Sequence, residues 1–183
     1  MNSEIFTNSK WLTYPGMDAV LTRTAFTCEN IRSAELYITA LGYFEAFING
    51  TRVSDEQFIP AMTDYEKRDL SKIHMPIFDT FSHRIYYYKY DISAYLCEGK
   101  NVLSTHIGAG WYGQHESPNE GMPYWGDNTL VFTLVITDNK GETKKALNLL
   151  KKLIICLMFN FQEQLLDLLE NYLSLKYLKY MKD

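Results

Sequence analysis

Aromatic and planar polar side chains surround one loop, residues 114–128 of this 183-residue chain. A Trp-Tyr pair precedes the loop, and a Tyr-Trp pair lies near its end. A sugar ring presents an apolar C–H face that stacks on an aromatic plane, while its hydroxyls bind amides and carboxylates. The pattern therefore predicts a carbohydrate-binding site. Its candidate residues are Trp111, Tyr112, Gln114, Glu116, Tyr124 and Trp125.

Two features of this loop have a second interpretation. Trp111–Tyr112 would equally form a hydrophobic plug where the domain meets a neighbouring domain. Asp127 and Asn128 supply oxygen atoms, the ligand type that calcium binds, so they are candidate calcium ligands; apart from calcium, no cofactor is expected. A turn that leads into the next strand explains the same two residues without an ion.

Catalytic groups are not evident in the sequence. Glycoside hydrolysis needs two carboxyl groups about 5 to 10 Å apart, and none of the 22 Asp and Glu residues stands in a context that marks a catalytic acid. Asp64 and Glu66 share a loop, where a turn cap and a solvated charge explain them. The four His residues show neither HxH nor HExxH spacing, and no GxSxG motif or phosphate-binding glycine motif occurs.

Composition argues against several classes of partner. A net charge of −4 does not supply the basic surface that nucleic-acid binding requires. Three cysteines without CxxC or Cys/His spacing suggest reduced thiols rather than a disulfide framework or a zinc site. The longest apolar run has seven residues, whereas a membrane-spanning helix needs about 20. No signal peptide is visible, so we expect a cytoplasmic protein with no nucleic-acid or membrane partner.

Short alternating segments predict the fold class. Tyr43–Ile48 is rich in aromatic residues and is followed by Asn49-Gly50, a strong signal for a two-residue hairpin. Leu36 and Ile38 point to one side of a half-buried strand, and alternation recurs over 102–109 and 129–137. Many short strands separated by turns indicate an all-β, antiparallel, jelly-roll-like sandwich from about residue 18 to 141.

The composition changes after Gly141. Residues 142–183 contain no Gly or Pro, and apolar residues recur at spacings of three and four from Leu147 to Leu175. That spacing predicts an amphipathic helical tail, so we divide the chain into a domain at 1–141 and a tail at 142–183. Two origins for the tail stay open: a helix that covers an open sheet edge, or a frameshift near Lys144, which we favour. An uncovered edge would promote self-association.

Three segments resemble a known family. They are SAELYITALGYFEAFINGTRV, PAMTDYEKR and YDISAYLCEGKNVLSTHIGAGWYG, in that order, within residues 24–141. In these motifs the chain resembles the amino-terminal β-sandwich module of bacterial α-L-rhamnosidases, which are glycoside hydrolases. The segment at 71–84 departs from the family pattern and is expected to be an inserted surface loop.

The resemblance implies a function and its limits. In this family the catalytic carboxylates belong to a separate helical barrel, none of whose residues match here, so the chain resembles a module truncated before its catalytic domain and inactive alone. Some family modules bind rhamnose with a calcium ion. The expected partners are therefore L-rhamnose-containing glycans and the catalytic domain. We expect an accessory carbohydrate-binding module; the alternative is a structural scaffold or an inactive remnant.

Overall fold

Two antiparallel sheets form the protein in a computed structural model, which describes residues 3–63, 65, 84–113, 126–147 and 156–157. The first sheet has the strand order β1-β8-β3-β6, with β9 also paired to β8, and the second has the order β10-β2-β7-β4-β5. The strands are β1 Leu12–Tyr14, β2 Ala19–Cys28, β3 Ile31–Leu41, β4 Tyr43–Ile48, β5 Thr51–Arg52, β6 Tyr88–Asp91, β7 Gly99–Gly108, β8 Asn128–Asp138, β9 Thr143–Leu147 and β10 Cys156–Leu157. The predicted all-β, antiparallel sandwich is confirmed.

Alternating apolar residues build the core between the sheets. In the first sheet Leu36 pairs with Leu134 and Ile38 with Phe132, and all four side chains are buried. Successive side chains on a strand point to opposite faces, so this register places the apolar residues on one side. The second sheet contributes further buried side chains from β2, β4 and β7, namely Val20, Phe26, Phe44, Ile48, Leu103 and Ile107.

The amino-terminal segment covers part of the outer face of the first sheet. Thr133 lies between the inward-facing Phe132 and Leu134, yet it is fully buried. Its hydroxyl lies 2.7 Å from the Ser9 hydroxyl and donates to the Ile5 carbonyl at 3.2 Å. The first seven residues of β8 are therefore buried on both faces of the strand.

The Asn49-Gly50 turn forms as predicted. Both residues have positive φ, 51° and 85°, and β4 pairs directly with β5 across the turn. The Asn49 side chain also donates to the Asn101 side-chain oxygen at 2.7 Å, and Asn101 is fully buried. A buried amide needs such partners, so the turn residue also stabilises the adjoining end of β7.

The described part of the tail differs from the prediction. Residues 143–147 form strand β9 rather than the start of a helix. Asp138 caps the turn by accepting from the backbone N–H groups of Lys140 and Glu142, and Gly141 has φ +83°. The turn returns the chain beside the edge of β8, where ladder hydrogen bonds override the helical spacing. Cys156–Leu157 also form a strand, which pairs with β2. The rest of the tail lies outside the described residues. The predicted inserted loop at 71–84 also lies outside them, except for Arg84.

One glycine joins the two sheets. Gly42 separates β3 from β4, which belong to different sheets, and has φ +115°. A Cβ atom there would lie 2.4 Å from the Gly108 carbonyl oxygen and 2.8 Å from Asn128 Oδ1. Only glycine allows this close approach.

We expect Gly42→Ala to lower the free energy of unfolding by about 2 to 5 kcal/mol, because it adds both backbone strain and overlap with backbone oxygen. Urea unfolding measures the loss. Gly99→Ala is the matched control, since Gly99 also has positive φ but a Cβ there meets nothing within 4 Å. Equal losses in the two variants would contradict the overlap argument.

Candidate functional site

The candidate site lies at the end of the sandwich where Gly42 crosses between the sheets. Three further segments meet there: the turn after β7, the start of β8 and the residues before β2. The Ala109 N–H donates to the Asp18 carbonyl at 2.8 Å, and the Gly16 N–H donates to Asp127 Oδ1 at 3.0 Å. We call residues 16–18, 42–43, 108–113 and 126–128 the glycine rim.

Trp111 is held on a tight turn of this rim. Gly110 has φ +52°, and the Gly113 N–H donates to the Ala109 carbonyl at 2.9 Å, which closes the turn around the tryptophan. The Trp111 side chain is 44% exposed. An indole held by a short closed turn loses little further entropy on binding, so the geometry suits a stacking surface.

Tyr112 has a different environment from its neighbour. Its ring meets Tyr65 edge to face, with 5.0 Å between the centroids. A Cβ on Gly126 would lie 3.0 Å from the Tyr112 hydroxyl oxygen, so the ring lies directly over that glycine. Burial also raises the pKa of Tyr65, the ring partner of Tyr112. The contacts of Tyr112 with Tyr65 and Gly126 show that its ring packs against the rim, whereas the Trp111 side chain is partly exposed.

Asp127 and Asn128 tie the rim together. Asn128 is buried, and its amide nitrogen donates to the Met17 and Asp18 carbonyls at 2.6 and 3.1 Å. Its side-chain oxygen has no hydrogen-bond partner among the described residues. Within that same part of the chain, no group of three or more His, Cys, Asp or Glu side chains is placed to hold a metal ion. Calcium binding by Asp127 and Asn128 stays a prediction.

Four predicted residues of the binding loop, Gln114, Glu116, Tyr124 and Trp125, lie outside the described residues. The structure adds Phe58 as a further candidate residue of the site, which the sequence did not indicate. Phe58 has φ +56°, is 74% exposed, and meets Tyr43 edge to face at 5.7 Å. A Cβ on Gly110 would lie 3.0 Å from the Tyr43 ring, so Tyr43 links Phe58 to the turn that carries Trp111. No local sequence signal marks a phenylalanine with positive φ.

Two described carboxyl groups have lowered pKa values, the opposite of the raised pKa that a general acid needs. Hydrogen bonds from Lys89 and then Tyr37 lower the pKa of Glu35. The Ser93 hydroxyl and then its N–H lower the pKa of Asp91. Asp64 and Glu66 lie outside the described residues.

No helix in the described ranges is long and apolar enough to cross a bilayer.

Sequence comparison decides the family. A family model described as the α-L-rhamnosidase N-terminal domain matches residues 29–147. The chain belongs to this family. The predicted resemblance is confirmed, and the match covers every strand from β3 to β9.

Relatives and solved structures agree with this assignment. An α-L-rhamnosidase of Formosa agariphila is 35% identical over 89 residues, which is 49% of this chain and 8% of that enzyme. The solved α-L-rhamnosidase of Aspergillus terreus has a TM-score of 0.65 and 25% identity over 81% of this chain and 16% of that one. The Streptomyces avermitilis α-L-rhamnosidase, solved with L-rhamnose, has a TM-score of 0.56 and 28% identity over 70% of this chain and 11% of that one. The chain thus spans a small part of each enzyme.

We expect Asn128→Ala to lower the free energy of unfolding by about 1 to 3 kcal/mol, because it leaves the Met17 and Asp18 carbonyls without their shared donor. Urea unfolding provides the measurement. The exposed Asn139 supplies the control, and Asn139→Ala should change stability by less than about 0.5 kcal/mol. A wild-type unfolding free energy in Asn128→Ala would show that the amide does not hold the rim.

The lowered pKa of Asp91 predicts a dependence of stability on pH. A carboxyl with a depressed folded pKa stabilises the protein above its unfolded pKa of about 4, and this stabilisation is lost as pH falls through the folded value. In Asp91→Asn the free energy of unfolding should therefore fall less steeply below about pH 4. Urea unfolding between pH 7 and pH 3 tests this, and an unchanged slope would refute it.

Proposed function

We propose that the chain is a non-catalytic, carbohydrate-binding module of an α-L-rhamnosidase and that its ligands are L-rhamnosyl glycans. The observation that carries the proposal is the half-exposed Trp111, held on a closed turn of the same glycine rim to which Asp127 belongs. An aromatic plane and a carboxylate supply the two contacts that a sugar requires, one apolar and one polar.

The family supports the substrate class. The matching relatives are named α-L-rhamnosidases, and the Streptomyces enzyme is solved with L-rhamnose. An intact enzyme of this kind would hydrolyse terminal α-L-rhamnosides, with cleavage carried out by its other domains.

A second candidate function is a scaffold that packs against the catalytic domain. The observation that favours it is the same exposed indole, because an exposed apolar side chain also suits a protein interface. The two candidates differ in whether a free sugar engages Trp111.

Titration calorimetry with L-rhamnose tests the proposal. We expect binding that Trp111→Ala weakens about fivefold or more, as loss of about 1 kcal/mol of aromatic contact implies. Trp11→Ala is the matched control, because Trp11 is also 44% exposed but directly precedes β1. The affinity of this variant should equal that of the wild type. No heat at millimolar L-rhamnose would favour the scaffold, and release of an aryl rhamnoside's chromophore would contradict a non-catalytic module.

The same titration tests whether calcium assists sugar binding. If Asp127 and Asn128 bind calcium as a cofactor for the sugar, L-rhamnose affinity should rise when calcium replaces a chelator, and Asp127→Asn should reduce that rise. Equal affinity under both conditions would remove calcium from the proposal and leave Trp111 as its basis.

A further inference from the structure

Phe58 combines two unusual properties. A bulky residue with φ near +56° is conformationally strained, because its Cβ crowds the backbone. Its side chain is also 74% exposed, so packing against the core does not compensate the strain. Strained residues that persist in this way are concentrated at binding sites, where the surrounding structure enforces them.

The segment around Phe58 is held on both sides. Before it, Arg52 Nη2 donates to the Glu56 carbonyl at 3.1 Å, and the Tyr90 hydroxyl donates to the Glu56 carboxylate at 3.1 Å. After it, the Ile59 carbonyl accepts from the Phe44 N–H at 2.8 Å. These contacts fix the flanking backbone and leave the Phe58 ring directed away from the core. The ring is therefore preorganised for a ligand.

Phe58 and Trp111 belong to one continuous surface. The Phe58 ring contacts Tyr43, and Tyr43 packs against Gly110, which directly precedes Trp111. Polar groups accompany Phe58 as well, since Asp55 and Gln57 are exposed beside it. Phe58 thus has exposed carboxylate and amide groups beside it in the chain, the combination that recognises a sugar.

We propose that Phe58 forms a second sugar subsite next to Trp111, so that the module binds a rhamnosyl oligosaccharide across two aromatic surfaces rather than one monosaccharide. This inference rests on the proposed function. It names the ligand class more closely: a terminal L-rhamnosyl unit on Trp111, and the adjoining sugar of the glycan on Phe58 and Gln57.

Calorimetry with two ligands tests the inference: L-rhamnose, and α-L-rhamnopyranosyl-(1→6)-D-glucose as the disaccharide. The wild type should bind the disaccharide more tightly. Phe58→Ala should lower disaccharide affinity about fivefold, the effect of losing one aromatic contact of about 1 kcal/mol, and leave L-rhamnose affinity within about twofold. Trp111→Ala should weaken both ligands.

Two further variants separate binding from folding. Phe58→Gly relieves the positive φ, so its thermal midpoint should equal or exceed that of Phe58→Ala while disaccharide binding stays weak. Met62→Ala removes another apolar side chain, 50% exposed and four residues away, and should change neither affinity.

The outcomes distinguish the two proposals. Wild-type disaccharide affinity in both Phe58 variants, with loss in Trp111→Ala, would overturn the second subsite and leave the proposed function intact. An equal loss of both ligands in Phe58→Ala would also overturn it, because one shared site would explain the result. If the wild type binds neither ligand, the carbohydrate function and the second subsite fail together.

Discussion

The close approach at Gly42 is the constraint on which the rest of the structure depends. One residue carries the chain from the first sheet to the second, and its Cα lies against the Gly108 carbonyl and the Asn128 side chain. This contact places the ends of β3, β7 and β8 within a few ångströms of one another. Because a side chain at residue 42 would separate them, the geometry of the glycine rim follows from the absence of a single Cβ atom.

The rim also explains why the candidate binding groups lie at this end of the sandwich. Strands bury their alternate residues between the sheets, so functional side chains must come from connections. Here the connections are stiffened: Asn128 holds Met17 and Asp18, Asp127 holds Gly16, and Tyr112 covers Gly126. The opposite end uses another buried amide, Asn101, to hold its turns. Asparagine suits both ends because its uncharged amide nitrogen donates to backbone carbonyls without bringing a charge into the core.

The proposed carbohydrate-binding module would gain from rigidity rather than from motion. A sugar loses hydration and conformational freedom when it binds, and a receptor already fixed in the bound geometry does not add to that cost. Trp111 on its closed turn and Phe58 on its strained but anchored segment both fit this principle. The strain at Phe58 is sustained by the buried residues beside it, Ile59 and Pro60, so core packing supports the presentation of a surface ring.

The sequence by itself determined the sandwich, because period-two alternation leaves an apolar face only when the segment is extended; Tyr43–Ile48 and the Asn49-Gly50 turn agree with the structure residue for residue. It also determined the family, through motifs that span most of the strands. Tertiary structure alone decided three matters. Residues 143–147 became a strand because the free edge of β8 offered hydrogen bonds stronger than a helical preference. Asn128 became a buried tie because three loops meet around it. Phe58 became an exposed ring because its neighbours are anchored in the core. Each depends on pairing or packing with another segment, and the ties at Asn128 join residues more than 100 positions apart, which local periodicity does not encode.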